Sequence, residues 1–167
     1  MNSNLFALLR LAVLAIGMIP GLVDTTRTVY VYQLGTPAAI QNFIQPDAGC
    51  NWTGVGGQIF SPEGLPVTDL TVRVTGTFNG QQVLQVTVTG SSLAWGPGGF
   101  SITLGDHPVA SQGTLHIQLF NTSGTPISPQ IPFSTHSTCD KNLVLLNLVL
   151  TTFNFDNYLP LVHRKIQ

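Results

Sequence analysis

Between residues 70 and 120 apolar and polar side chains alternate with a period of two. Leu70, Val72, Val74 and Phe78 stand on one set of positions, with Thr71, Arg73, Thr75 and Thr77 between them. Successive side chains of a strand point to opposite sides, so this spacing predicts a strand with one buried face. Asn79-Gly80 follows, a pair suited to a type I′ turn, whose central residues both need positive φ. The return run then places Leu84, Val86 and Val88 inward and Gln85, Thr87 and Thr89 outward. The same rule predicts strands at Phe100-Ile102-Leu104 and Leu115-Ile117-Leu119, with His116 on the solvent side. Turn signals separate the runs at Ser61-Pro62-Glu63-Gly64 and Asn121-Thr122-Ser123-Gly124. Pro129 and Pro132 confine Ile127 to Phe133 to an edge, because proline cannot donate to a ladder. Leu143 to Leu150 is nearly all apolar and reads as a central strand. About seven short strands at this spacing predict an all-β fold, a two-sheet antiparallel sandwich.

The two ends read differently. Leu5 to Val23 is apolar apart from Arg10, Gly17, Pro20 and Gly21. A positive flank, a short apolar core and a helix break are the order of a signal peptide. Residues 1–23 are therefore read as a signal peptide or a membrane anchor. The third reading is a buried N-terminal helix, and nothing downstream offers it a helical partner. Residues 24–46 read as an extended segment with one strand, 47–153 as the β domain and 154–167 as a tail. Within 24–46, Val29, Tyr30, Val31, Tyr32 and Leu34 make a strand apolar on both faces, Tyr30, Tyr32 and Leu34 sharing one of them. Such a strand needs cover on both sides. It can be the domain's own edge strand, a strand donated to another subunit, or a linker ordered only in context.

Composition narrows the function. Charged residues make up 8%, against roughly 25% in an ordinary soluble domain, and the formal net charge is −1. With six Lys+Arg there is no basic patch to neutralise phosphates, which excludes nucleic acid as a partner. The two cysteines, Cys50 and Cys139, flank the strand-rich region. An even pair in an exported chain reads as one disulfide, closing a loop of about 90 residues. They have no CxxC spacing, and His107, His116, His136 and His163 are scattered, so no metal or cofactor is expected.

Catalytic groups are sparse. Ser91, Ser92, His107 and Asp106 form no recognisable nucleophile turn. Glu63 is the single Glu, and Asp47, Asp69 and Asp106 fall in expected loops. Paired carboxylates across a cleft are therefore not indicated. Lys141, in Asp140-Lys141-Asn142, would need burial beside an acid to form an isopeptide crosslink; a solvated loop lysine is the simpler reading. Trp52, two residues from Cys50, is expected to pack on the disulfide. Trp95, in a glycine-rich loop, can plug the open end of the sandwich or stack on a sugar face.

A resemblance adds to this. Gly54-Val55-Gly56-Gly57-Gln58-Ile59-Phe60-Ser61-Pro62-Glu63-Gly64-Leu65-Pro66-Val67, running on to Leu70-Thr71-Val72-Arg73-Val74, resembles the opening of a carboxypeptidase regulatory-like domain. Gly99-Phe100-Ser101-Ile102-Thr103-Leu104 resembles that family's later Gly-x-Phe/Tyr strand. The resemblance implies a transthyretin-like sandwich and no activity. Thr68-Asp69-Leu70 departs from the usual Gly-Ala, and the disulfide is not a general family feature. The longer stretch from Gly35 to Val149 resembles a terminal module in secreted proteins of environmental bacteria. Tyr158-Leu159-Pro160-Leu161-Val162 resembles a tail on bacterial exported proteins. The expected function is a non-enzymatic, exported or cell-surface structural or adhesive module. Its expected partners are other surface proteins, copies of itself or glycans, with the membrane touched only through residues 1–23. The alternatives are a filament subunit assembling through residues 28–34 and a carbohydrate-binding module using Trp95.

Overall fold

A computed structural model describes residues 26–154. The expected signal or anchor at 1–23 and the Tyr158–Val162 tail lie outside the described residues. Ten strands follow in order: β1 (Thr26–Tyr32), β2 (Ala38–Ile40), β3 (Thr53–Phe60), β4 (Thr71–Phe78), β5 (Gln81–Val88), β6 (Gly99–Gly105), β7 (Ser111–Phe120), β8 (Ile131–Thr135), β9 (Leu143–Leu145) and β10 (Leu148–Asn154). Among the described residues the only helical pieces are three short 3₁₀ turns. The all-β expectation therefore holds for what is described.

Two sheets form. One has the order β1-β10-β3-β9-β2, with β6 on the opposite edge of β3; the other is β5-β4-β7-β8. Their apolar residues meet in a common core. Val55, Ile59, Phe100 and Ile102 come from the first sheet, and Val72, Val74, Leu115, Ile117 and Leu119 from the second. Val72 and Val74 are fully buried while Thr71, Arg73 and Thr75 are not, as the alternation of β4 predicts. Asn79 and Gly80 have φ of 49° and 74°, the positive pair that a type I′ turn requires. β8 is an edge strand, as its prolines require.

The strand count and direction differ from the expected antiparallel seven. β3 pairs in parallel with both β9 and β10. The chain reaches β9 by crossing over from β8 in the other sheet, and a crossover lets a strand run either way, unlike a tight hairpin. The apolar run Leu143–Leu150 is central in its sheet but broken at Leu146-Asn147. There the Asn147 side chain replaces a ladder acceptor: its Oδ1 takes the Gln58 N–H at 2.8 Å. The neighbouring edge breaks at the same level, and the Gln33 N–H reaches the Asn147 carbonyl at 2.9 Å. So β1 and β2 are two halves of one edge, and β9 and β10 two halves of one strand.

The return strand is the clearest correction. Leu84, Val86 and Val88 face outward and are exposed, not buried. The two-residue turn pairs Phe78 with Gln81, and this register sets Gln85 and Thr87 opposite Val74 and Val72. Directly opposed residues share a face. The core side of β5 is therefore carried by Val83, Gln85 and Thr87, and the aliphatic set falls on the other side.

Residues 26–46 carry two strands instead of one. β1 pairs with β10 along its whole length, from Thr26↔Asn154 to Tyr32↔Leu148. Tyr30 enters the common core, and Tyr32 packs against it while its hydroxyl donates to the Pro132 carbonyl on β8. Leu34 does not share their face: the strand ends at Tyr32, and Leu34 is fully exposed in the turn that follows. Val29 and Val31, on the other face, are half-buried.

One turn is built twice. Ile59-Phe60-Ser61-Pro62-Glu63-Gly64-Leu65-Pro66-Val67 and Leu119-Phe120-Asn121-Thr122-Ser123-Gly124-Thr125-Pro126-Ile127 make the same three backbone bonds. These are Ser61 N–H to Leu65 O, Gly64 N–H to Ser61 O and Val67 N–H to Ile59 O, and their counterparts from Asn121, Gly124 and Ile127. Gly64 and Gly124 share a φ of 78°, a region that favours glycine.

Candidate functional site

The candidate site lies on the face of the first sheet that turns away from the core. Val55 and Ile59 of β3 point into the core, so Gly54, Gly56 and Gln58 point the other way. A Cβ on Gly54 would collide with the Trp52 indole and the Ile102 carbonyl. A Cβ on Gly56 would collide with the Trp95 indole and the Phe100 carbonyl. Two tryptophans thus lie along a track that only glycine leaves open. Trp52 is buried and donates from Nε1 to Thr103 Oγ1 at 2.9 Å. Leu143, whose register partner is Gly54, is fully buried yet stands apart from the central core.

The segment between β2 and β3 supplies the cover. Asn142 holds it. Its Oδ1 accepts the Asn42 N–H at 2.8 Å, and its Nδ2 donates to Gly49 O at 2.8 Å and Trp52 O at 3.0 Å. Asn142 is 1% exposed, so these bonds face no competition from water. The Cys50–Cys139 disulfide fixes the same segment from outside, with Cα atoms 5.1 Å apart. Further along, the rings of Phe43 and Trp95 meet edge to face with centroids 4.7 Å apart.

Trp95 is half-buried beside the outward face of β3. Its Nε1 is buried without a hydrogen-bond partner, beside Gly56. What reaches solvent here is Phe43, 46% exposed, and Leu93, 79% exposed. The arrangement can offer an apolar edge to a partner.

The other candidates do not converge. Ser91 Oγ donates to its own turn, to Val88 O at 2.6 Å. Asp106 and His107 bond at 2.6 Å as exposed sequence neighbours, and that bond holds the Asp106 carboxyl below its usual range. Glu63 is exposed, and its carboxyl is lowered by the Ser61 hydroxyl at 2.7 Å. Asp47, Asp69 and Lys141 are exposed, and His116 is half-buried in a row with Thr75 and Pro132. Asp140 is exposed, and the Thr138 side chain lowers its carboxyl. Among the described residues no three His, Cys, Asp or Glu stand close enough to hold a metal ion. None of the helical pieces is long and apolar enough to cross a membrane. A disulfide and the lack of such a helix in this region are compatible with an extracellular protein.

The residue missed by sequence reasoning is Asn142. Its neighbour Lys141 carries the reactive group, whereas Asn142 carries the architecture. The chain matches no protein-family model, no curated protein matches it, and no solved structure matches it either, so nothing there identifies a carboxypeptidase regulatory-like domain.

Proposed function

We propose that this chain is an exported, non-enzymatic structural or adhesive module of the cell surface. On this reading the two sheets are the layers of a β-sandwich related to the carboxypeptidase regulatory-like, transthyretin-like domains, and residues 1–23 direct export. The observation that carries it is the bracing of the 41–52 cover. A disulfide, a buried asparagine and two tryptophans hold one surface segment to the sheet. These groups resist unfolding outside the cell and present no reactive constellation. The disulfide itself argues for an oxidising compartment.

The alternatives meet specific obstacles. Donating residues 28–34 to form a filament would require Thr28 to Tyr32 to leave five register partners on β10 and Tyr30 to withdraw from the core. A sugar platform at Trp95 would have to use an indole that already meets Gly56 and the Phe43 ring. The test is antibody labelling and protease shaving of intact producing cells, beside adhesion assays of cells lacking the protein. Surface exposure with lost adhesion or envelope integrity supports the proposal. A protein retained in the cytoplasm with free thiols would overturn it. Glycan-array binding abolished by Trp95→Ala in a folded protein would replace it with the carbohydrate reading.

A further inference from the structure

β5 is an edge strand of unusual exposure. It runs eight residues, Gln81–Val88, in unbroken register with β4; among the described residues no second strand is hydrogen-bonded to it, although the end of β6, Leu104–Gly105, lines a shallow groove beside Gln81–Gln85. It contains no proline, no glycine and no charge, the devices that ordinarily blunt a sheet edge. The Phe78↔Gln81 pair flanks a two-residue turn, so odd-numbered residues of β5 exchange backbone bonds with β4. The parity continues past the strand end, where Thr89 bonds to Asp69 and Leu70. Gln82, Leu84, Val86 and Val88 therefore turn both backbone groups toward the open edge. Their side chains line the outer face, where Leu84 is 67%, Val86 56% and Val88 42% exposed.

We infer that this edge pairs with the same edge of a second copy, joining two four-stranded sheets into one continuous sheet across a two-fold axis. The argument for a copy over a foreign strand is charge and symmetry. A two-fold axis sets residues near it against their own images, so a charged strand would repel itself. β5 carries no charge to repel, and Arg73, opposite Val86, is held back over the Phe120 ring at 4.1 Å. Outward-facing backbone groups fix the register. Even residues must oppose even residues, and of the two registers with equal, fullest overlap, the one that matches apolar with apolar sets Leu84 against Val86 of the copy and Gln85 against Gln85. An amide donates and accepts equally, so a glutamine complements its own image. Leu84 and Val86 from both copies then form one apolar stripe.

Sedimentation equilibrium of the full chain tests this. The expected result is a reversible dimer whose dissociation constant is unmoved by salt, since no ion pair is made. Leu84→Lys should raise that constant tenfold or more and leave the thermal melt unchanged when both proteins are measured at concentrations below it, because the side chain is exposed. Gln85→Cys should give a covalent dimer on oxidation, since directly opposed residues bring Cβ atoms within disulfide reach; Gln82→Cys should give little. A monomeric parent, an assembly that Leu84→Lys leaves intact, or equal crosslinking at both positions overturns the inference. A monomer would leave the edge to a foreign strand.

Discussion

Asn142 shows how much one uncharged side chain can organise. Its amide serves Asn42, Gly49 and Trp52, and its backbone carbonyl accepts from Gly54 N–H at 3.0 Å and Thr53 Oγ1 at 2.9 Å. Asn142→Ala strands three buried backbone groups and should cost about 3 kcal/mol in denaturant melts. Lys141→Ala, at the exposed neighbour, should cost nothing measurable. Tyr32 makes a second residue-scale prediction. Burial raises its phenol to about 12, against an unfolded value near 10. The unfolded chain then loses this proton first, so stability holds below pH 10 and falls as pH rises from there to 12. Stability measured across that range should fall less steeply for Tyr32→Phe than for the parent, and an identical slope would contradict the assignment. Neither role could be read in the sequence. Asn142 stands between a lysine and a leucine as any turn asparagine would, and its partners lie about a hundred residues away.

At the scale of elements, local pattern and turn chemistry carried β4, its hairpin and the edge position of β8. They did not carry the facing of β5. Leu84, Val86 and Val88 are apolar, and apolar side chains in alternation predict burial; the register imposed by Asn79-Gly80 decides otherwise. Val72→Asp should therefore destabilise by about 4 kcal/mol or more, because a carboxylate would enter the core unpaired. Thr71→Asp and Val86→Asp should both stay within about 1 kcal/mol of the parent, as exposed-face changes do. Matched thermal melts decide this, and a Val86→Asp variant as unstable as Val72→Asp would restore the original facing. The breaks that divide β1 from β2 and β9 from β10 were illegible because they depend on Asn147 meeting Gln58 across the sheet. The repeated turn was legible in principle: Phe-x-x-x-Gly-x-Pro occurs at both Phe60 and Phe120.

For the whole molecule, the class, the buried faces of β4 and β7 and the cysteine pairing were legible in the sequence. The bond spans 89 residues, for which chain-entropy arguments give about 4–5 kcal/mol. Cys50→Ser with Cys139→Ser should lower the melting temperature by about 10 °C or more, measured without reductant. An unchanged melt would mean that the cover is held by Asn142 and the tryptophans alone. The candidate site itself was half-visible. Trp52 and Trp95 stand out in the sequence, but their meeting with the glycines of β3 is a tertiary fact. Nothing local says that Gly54 and Gly56 are empty because indoles fill the space.

The pairing of β1 with β10 sets the timetable of folding. Thr28 and Thr152 bond side chain to side chain at 3.2 Å across 124 positions of sequence. A chain emerging N-terminus first therefore carries its opening strand unpaired until its last strand is synthesised. Loop closure over such a span is slow, and high contact order delays the committed step. The first sheet stays incomplete over that interval, while β5-β4-β7-β8 needs neither end. Its hazard is the same interval, in which Val29-Tyr30-Val31-Tyr32 is an unpaired, uncharged segment open to association with other chains.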